Sequence, residues 1–149
     1  MANLESVLSY RHPAVVARYI KDFGGDQGAA EDLFQELTRW LYLCARAAGT
    51  RDRSVTISMY PEILRIDDMW HTFILHTRDY AEFCHRYFGH FIHHDPLPPR
   101  PPREWHADEA NAELEMFLSF LYDELGEATV RRWFVERRYA RDSTPPKTI

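Results

Sequence analysis

Asp67, His71 and His94 are the residues of this chain whose types and spacing best suit chemistry. They lie in the segment from Asp67 to Pro96 (DDMWHTFILHTRDYAEFCHRYFGHFIHHDP), which holds six of the eight histidines and one of the two cysteines. Asp67 and His71 are four residues apart, so on a helix both side chains reach toward one point. An Asp-x-x-x-His spacing makes half of a divalent-metal site, or a carboxylate–imidazole pair in which the acid fixes the ring tautomer. A metal site needs further ligands, and His94, His93, His90, His85 and Cys84 are the supply. On one straight helix Cys84 would stand roughly 20 Å along the axis from His71, too far for shared ligation. A break near Thr77 removes that obstacle, and His94, in an irregular stretch just before a run of prolines, is then the best third ligand. Two histidines and one carboxylate suit zinc with an open position, or non-haem iron(II). Trp70 and Tyr80 are expected to wall the pocket. His76, His85, His90 and His93 read as exposed or rim residues, and Cys84 as packing first and ligand second.

These residues depend on the helices that position them. Asp67 falls between Ile63, Trp70 and Ile74 on the apolar face of the helix opened by Pro61. A carboxylate buried there without a partner costs several kcal/mol, so a metal, an arginine, a histidine or backbone donors must meet it. The polar run His76-Thr77-Arg78-Asp79 interrupts the apolar face, and Tyr80, Phe83, Cys84, Tyr87 and Phe88 resume it at helical spacing. This predicts two helices, or one that kinks near Thr77, ending at Gly89.

Upstream, Leu4, Val7 and Leu8 suggest a short helix, and Pro13 opens a second that Gly24-Gly25 ends. Leu33, Leu37, Trp40, Leu41 and Cys44 repeat at three and four, which predicts a helix from about Ala29 to Ala48 with Gly49 as its cap. Ser54 to Met59 alternates apolar and hydroxyl residues and reads as an extended, strand-like piece. Five of the nine prolines lie between Pro96 and Pro102, a strap that runs extended rather than helical. After it, Ala107 to Leu125 carries the cleanest amphipathic pattern, stopped by Gly126. Val130, Trp133 and Phe134 then mark a last short helix, and 142–149 is expected to fray.

A chain of 149 residues, 45% apolar, is the size of one globular domain, here residues 1–141. The formal net charge of −5 gives no overall pull toward nucleic acid or anionic lipid. No run approaches the roughly 18 apolar residues of a membrane span. Two cysteines, with no N-terminal apolar run of signal-peptide length, fit free thiols in the cytoplasm. A protein partner has two places to bind, Pro96–Pro102 and the basic stretch Arg131–Arg141, although Glu136 interrupts the latter and favours a solvated face.

Asp67-x-x-Trp70-His71, then Tyr80, Cys84, Gly89 and His94-Asp95, resembles the motif of the glycine-rich domain-containing protein-like family, closest to its small bacterial members without the glycine-rich part. The likeness is strong over about thirty residues. Many plant members have a second histidine two positions after the first, where this chain has Phe73, so a His-x-His chelate does not carry over. The resemblance implies a compact, mainly helical domain and groups Asp67, Trp70, His71, Tyr80, Cys84 and His94; it implies no reaction.

The expectation is therefore a mainly α, single-domain bundle of about six helices, with a proline-rich strap before the penultimate helix. It holds an Asp/His pocket that binds a divalent metal, zinc or iron. The alternative is a protein-interaction or scaffold module in which the Asp/His pair is purely structural.

Overall fold

The computed structural model describes residues 1–50, 55–95 and 107–141. The described residues contain seven α-helices: α1 (Leu4–Leu8), α2 (Pro13–Phe23), α3 (Gln27–Gly49), α4 (Leu64–Leu75), α5 (Thr77–Phe88), α6 (Ala107–Leu125) and α7 (Glu127–Val130). A 3₁₀ turn, Pro61–Ile63, leads into α4, and a π-helical turn, Arg131–Val135, follows α7. The mainly α expectation holds, with one more α-helix than anticipated. The proline strap Pro96–Pro102 and the tail 142–149 lie outside the described residues, as does Ser54.

Local chemistry sets the helix ends. Asn3 and Asp26 accept from the backbone N–H groups of Ser6 and Ala29 at 2.9 Å each, capping α1 and α3. His12 caps α2 through Nδ1, which accepts from Val15 N–H at 3.1 Å, and Pro13 takes the first helical position. The N-cap contact puts the neutral ring's proton on Nε2, which donates to Asp79 Oδ2 at 2.7 Å and ties the start of α2 to the first turn of α5. The break between α4 and α5 falls at His76 (φ −86°, ψ 65°), next to the expected Thr77. Gly89 closes α5 at φ +80°, a left-handed conformation that glycine adopts without steric cost. Gly49 differs from expectation: it is the last residue of α3, and extended Thr50 is the cap.

The long helix α3 runs through the middle, packed against α1, α2, α4 and α6. Its apolar stripe is wider than Leu33, Leu37, Trp40 and Leu41 alone, because Phe34, Leu43 and Ala45 are also buried. Partners on several sides bury more than one stripe. Phe73, Tyr80, Phe83 and Trp133, each at most 1% exposed, fill the spaces between helices. Residues 55–60 form no strand, because a strand needs a neighbour to take up its backbone groups and none lies beside them among the described residues.

Two buried carboxylates lock the C-terminal turns onto this frame. Glu36 of α3, 3% exposed, accepts from Trp133 Nε1 at 2.7 Å, Arg39 Nη1 at 2.8 Å and Arg132 Nε at 3.1 Å. Asp68 of α4 takes a two-pronged contact from Arg141, with Nε at 3.1 Å from Oδ2 and Nη2 on Oδ1. The basic stretch is thus partly a clamp: Arg132, half-buried, and Arg141, still exposed, each pair with a buried carboxylate that needs a cation, and only part of the cluster is free of such a partner role.

Candidate metal centre

Helix α4 presents Asp67, Trp70 and His71 in a single turn, with Trp70 buried, Asp67 half-buried and His71 exposed. Asp67 stands in the first turn of α4, where a carboxylate is favoured by the helix dipole. What the helix alone cannot supply is the third group, and a short buried network brings it back. Trp70 Nε1–H donates to the Tyr80 hydroxyl at 3.0 Å, and that hydroxyl donates to the carbonyl of Ile92 at 2.6 Å. Ile92 is itself buried, so its side chain and this hydrogen bond help hold the chain leaving Gly89 against α4 and α5. Two residues on, the ring of His94 lies against Trp70, centroids 4.1 Å apart.

His94 then reaches Asp67: Nε2 to Oδ1 is 2.8 Å. His71 approaches from the other side, its ring centre 4.4 Å from that of His94. Its Nδ1 is 2.7 Å from the Asp67 carbonyl oxygen and 3.4 Å from carboxylate Oδ2. The carbonyl contact requires an N–H, so in the neutral ring the proton is on Nδ1 and Nε2 carries the lone pair. One ligand atom from each of Asp67, His71 and His94 falls within 4.8 Å of the others, although His94 is 27 residues from Asp67.

These distances fit a metal with a modest tightening. Donors about 2.0 to 2.2 Å from a tetrahedral zinc stand about 3.4 Å from one another. To hold an ion, the 2.8 Å contact between Asp67 and His94, now bridged by a proton, would open by roughly half an ångström and the wider separations would close. An ion bound there would take the place of that proton. A metal held by Nε2 of His71 keeps the bond from Nδ1 to the Asp67 carbonyl, whereas one held by Nδ1 replaces it. Three protein donors leave a tetrahedral ion one open position.

The centre sits on the edge of a cleft of about 850 Å³. Trp40, Ile57, Met59, Ile74 and Phe91 give it apolar walls, and His90 and His93 stand at the rim. Trp70 lies along it, and Tyr80 stands behind the wall, 1% exposed, and acts through its hydrogen bonds to Trp70 and Ile92. Cys84 is outside the cluster: it is fully buried, in contact with the Ile92 amide and the Tyr80 hydroxyl, and burial pushes its thiol up. Cys44 lies half-buried along the cleft, its thiol pushed up to about 12 by desolvation. Both are protonated at neutral pH, against a role as a thiolate.

Sequence reasoning missed Trp40, Ile57 and Met59 as cleft residues and Glu36 and Asp68 as buried acids. Glu36 had a signal: it falls three residues after Leu33, on the apolar stripe of α3. The cleft residues had none, because they come from separate stretches joined only by the fold.

A family model described as UCP032817-like matches residues 3–100. The chain belongs to the UCP032817-like family. The matched part runs from α1 to just beyond His94, so it contains the three candidate ligands, the Trp70–Tyr80–Ile92 network and Trp40, and leaves α6 and α7 outside. None of the curated proteins and none of the solved structures matches this chain.

Proposed function

We propose that this protein binds one divalent metal ion, zinc or iron(II), through Asp67, His71 and His94, with the remaining coordination position turned to the cleft. The observation that carries the reading is the convergence of two imidazoles and a carboxylate to within 4.8 Å from two separate stretches of chain. Two neutral imidazoles and one carboxylate make a donor set suited to either ion, and a bound ion would supply Lewis acidity at its open position. The chain's own contribution is placement: Asp67 orients His94, Trp70 supports the ring, and Tyr80 fixes the backbone that carries it.

The free thiols Cys44 and Cys84 support a reducing, cytoplasmic setting. The Asp67-x-x-Trp70-His71 pattern supports kinship with the glycine-rich domain-containing protein-like family, and we take residues 1–141 as the domain and 142–149 as its tail.

Purified protein analysed by plasma mass spectrometry should carry near-stoichiometric zinc or iron, or take it up in a calorimetric titration, and His71→Ala should abolish this with its circular dichroism unchanged. A folded wild type that neither carries nor takes up either ion refutes the reading. That result would favour the rival, a protein-interaction module in which Asp67 and His94 form a structural clamp. The 2.8 Å contact between those two side chains is the observation in its favour. In that module, capture of a partner should depend on Pro96–Pro102 or Arg131–Arg141.

A further inference from the structure

A second cavity, of about 420 Å³, shares no lining residue with the cleft. It opens where the end of α2, the start of α3 and the N-terminal half of α4 meet, and Arg141 lines it too. Tyr19 of α2 is 7% exposed, yet its hydroxyl makes no hydrogen bond among the described residues. Among those residues, Trp40 Nε1 is the one buried side-chain nitrogen or oxygen with neither a partner nor open surface, so the unbonded Tyr19 hydroxyl keeps an accessible face. That face is on the cavity, because the charges that act on the hydroxyl, those of Asp68, Arg65 and Arg141, all belong to cavity-lining residues. Burial and then the Asp68 charge push the phenol up, so at neutral pH it is a donor.

The same cavity offers a cation. Asp68 takes Nε and Nη2 of Arg141, which leaves Nη1 without a hydrogen bond among the described residues. Arg65 also lines the cavity, its Nε held 3.1 Å from the Ala140 carbonyl. Both acids of the lining are engaged, Asp68 by Arg141 and Asp26 by the Ala29 N–H at the start of α3, where the helix dipole offsets its charge. Two guanidinium charges against the carboxylate of Asp68 leave a single positive charge in excess, which matches a monoanion better than a dianion. The remaining wall is apolar: Phe23, 54% exposed, stacks on Tyr19 with ring centroids 4.8 Å apart, and Leu33 continues it. An open aromatic face of this kind favours a planar ring.

We propose that this cavity binds a small aromatic monocarboxylate, its carboxylate accepting from the Tyr19 hydroxyl and Arg141 Nη1 and its ring lying against Phe23. The site is independent of the metal reading. Its volume falls within the range of small-molecule sites, roughly 300 to 1,000 Å³.

The test is an NMR titration of the ¹⁵N-labelled full chain with benzoate, benzamide and inorganic phosphate, read at the amides of Gly24, Gly25 and Ala29 on the cavity wall. Benzoate should shift these amides saturably, and benzamide, its neutral isostere, should bind at least about ten-fold more weakly because it lacks the charge. Tyr19→Phe should raise the Kd for benzoate by about ten-fold, the value of one hydrogen bond to a charged group, with Tm unchanged because the hydroxyl bonds to nothing among the described residues. Phe23→Ala, at an exposed position, should weaken benzoate with the fold intact and serves as the second variant if Tyr19→Phe does not fold. No saturable shift with benzoate, equal affinity for benzoate and benzamide, or wild-type benzoate affinity in the folded variant overturns the proposal. Phosphate binding as tight as benzoate overturns it too, since the site would then take oxyanions in general.

Discussion

Removing His71 separates a metal centre from a structural clamp, because its side chain contributes little to the metal-free fold. It is 57% exposed, and among the described residues its one hydrogen bond runs to the backbone of its own helix. An exposed neutral hydrogen bond of this kind adds about 0.5 kcal/mol at most, which for a domain of this size is roughly 1 to 2 °C in Tm. His94 is different. It is 19% exposed, bonded to a carboxylate that is 17% exposed, and lies against Trp70. His94→Ala leaves Asp67 without that partner at the edge of the core and should cost about 2 kcal/mol, or roughly 4 to 8 °C.

Zinc adds a second scale. Free zinc at a hundred times its Kd stabilises the native state by about 2.7 kcal/mol, which is roughly 5 to 10 °C. Differential scanning calorimetry on chelator-treated protein, with and without zinc, should therefore give three patterns. Wild type should show the full zinc shift. His71→Ala should melt close to wild type without zinc and lose most of the shift. His94→Ala should melt early and lose it as well. Two results would refute the reasoning: a zinc shift in His71→Ala equal to that of wild type, or a metal-free His71→Ala that melts as early as His94→Ala.

Replacing Glu36 with Ala should cost about 3 to 5 kcal/mol in urea unfolding, since it strips a buried indole N–H and two arginines of their acceptor; a loss under about 1 kcal/mol would contradict the clamp drawn here. Tyr80→Phe should cost about 1 to 3 kcal/mol and weaken zinc binding while touching no ligand, because Trp70 loses its acceptor and the Ile92 carbonyl its donor; unchanged zinc affinity would mean that the return of His94 does not depend on this bond. The thiols should make stability fall in alkali. Burial raises Cys84, and Cys44 goes from an ordinary 9.0 to about 12, so above about pH 9 the unfolded chain releases protons that the folded one keeps. Stability is complete below that pH and declines toward about pH 12, and replacing Cys44 with Ala should flatten the slope; an unchanged slope would show that this thiol does not carry it.

The periodic elements were legible because their causes are local. Pro13, Pro61, Gly24, Gly89 and Gly126 punctuate the chain where the structure starts or stops helices, and the change of pattern at His76-Thr77 coincides with the break between α4 and α5. Val55, Ile57 and Met59 misled for the converse reason. Alternation makes a strand only when a second strand takes up the backbone, and a pattern along one segment carries no information about its neighbour. The basic stretch reads as mostly solvated because Arg132 and Arg141 are far in sequence from Glu36 and Asp68, the buried acids they pair with.

By itself the sequence determined that this chain is mainly helical, where most of its helices begin and end, and that an acid among the residues of an apolar face needs a partner. Tertiary structure decided which partner. His71 was the neighbour in sequence, yet the shortest contact to the Asp67 carboxylate comes from His94, 27 residues on. Helical spacing fixes distances only within about two turns, whereas the return of His94 depends on a left-handed glycine, a buried isoleucine and a hydrogen bond from Tyr80 acting together. The cleft exists only once α3, α4, residues 57–59 and the segment after α5 are packed against one another.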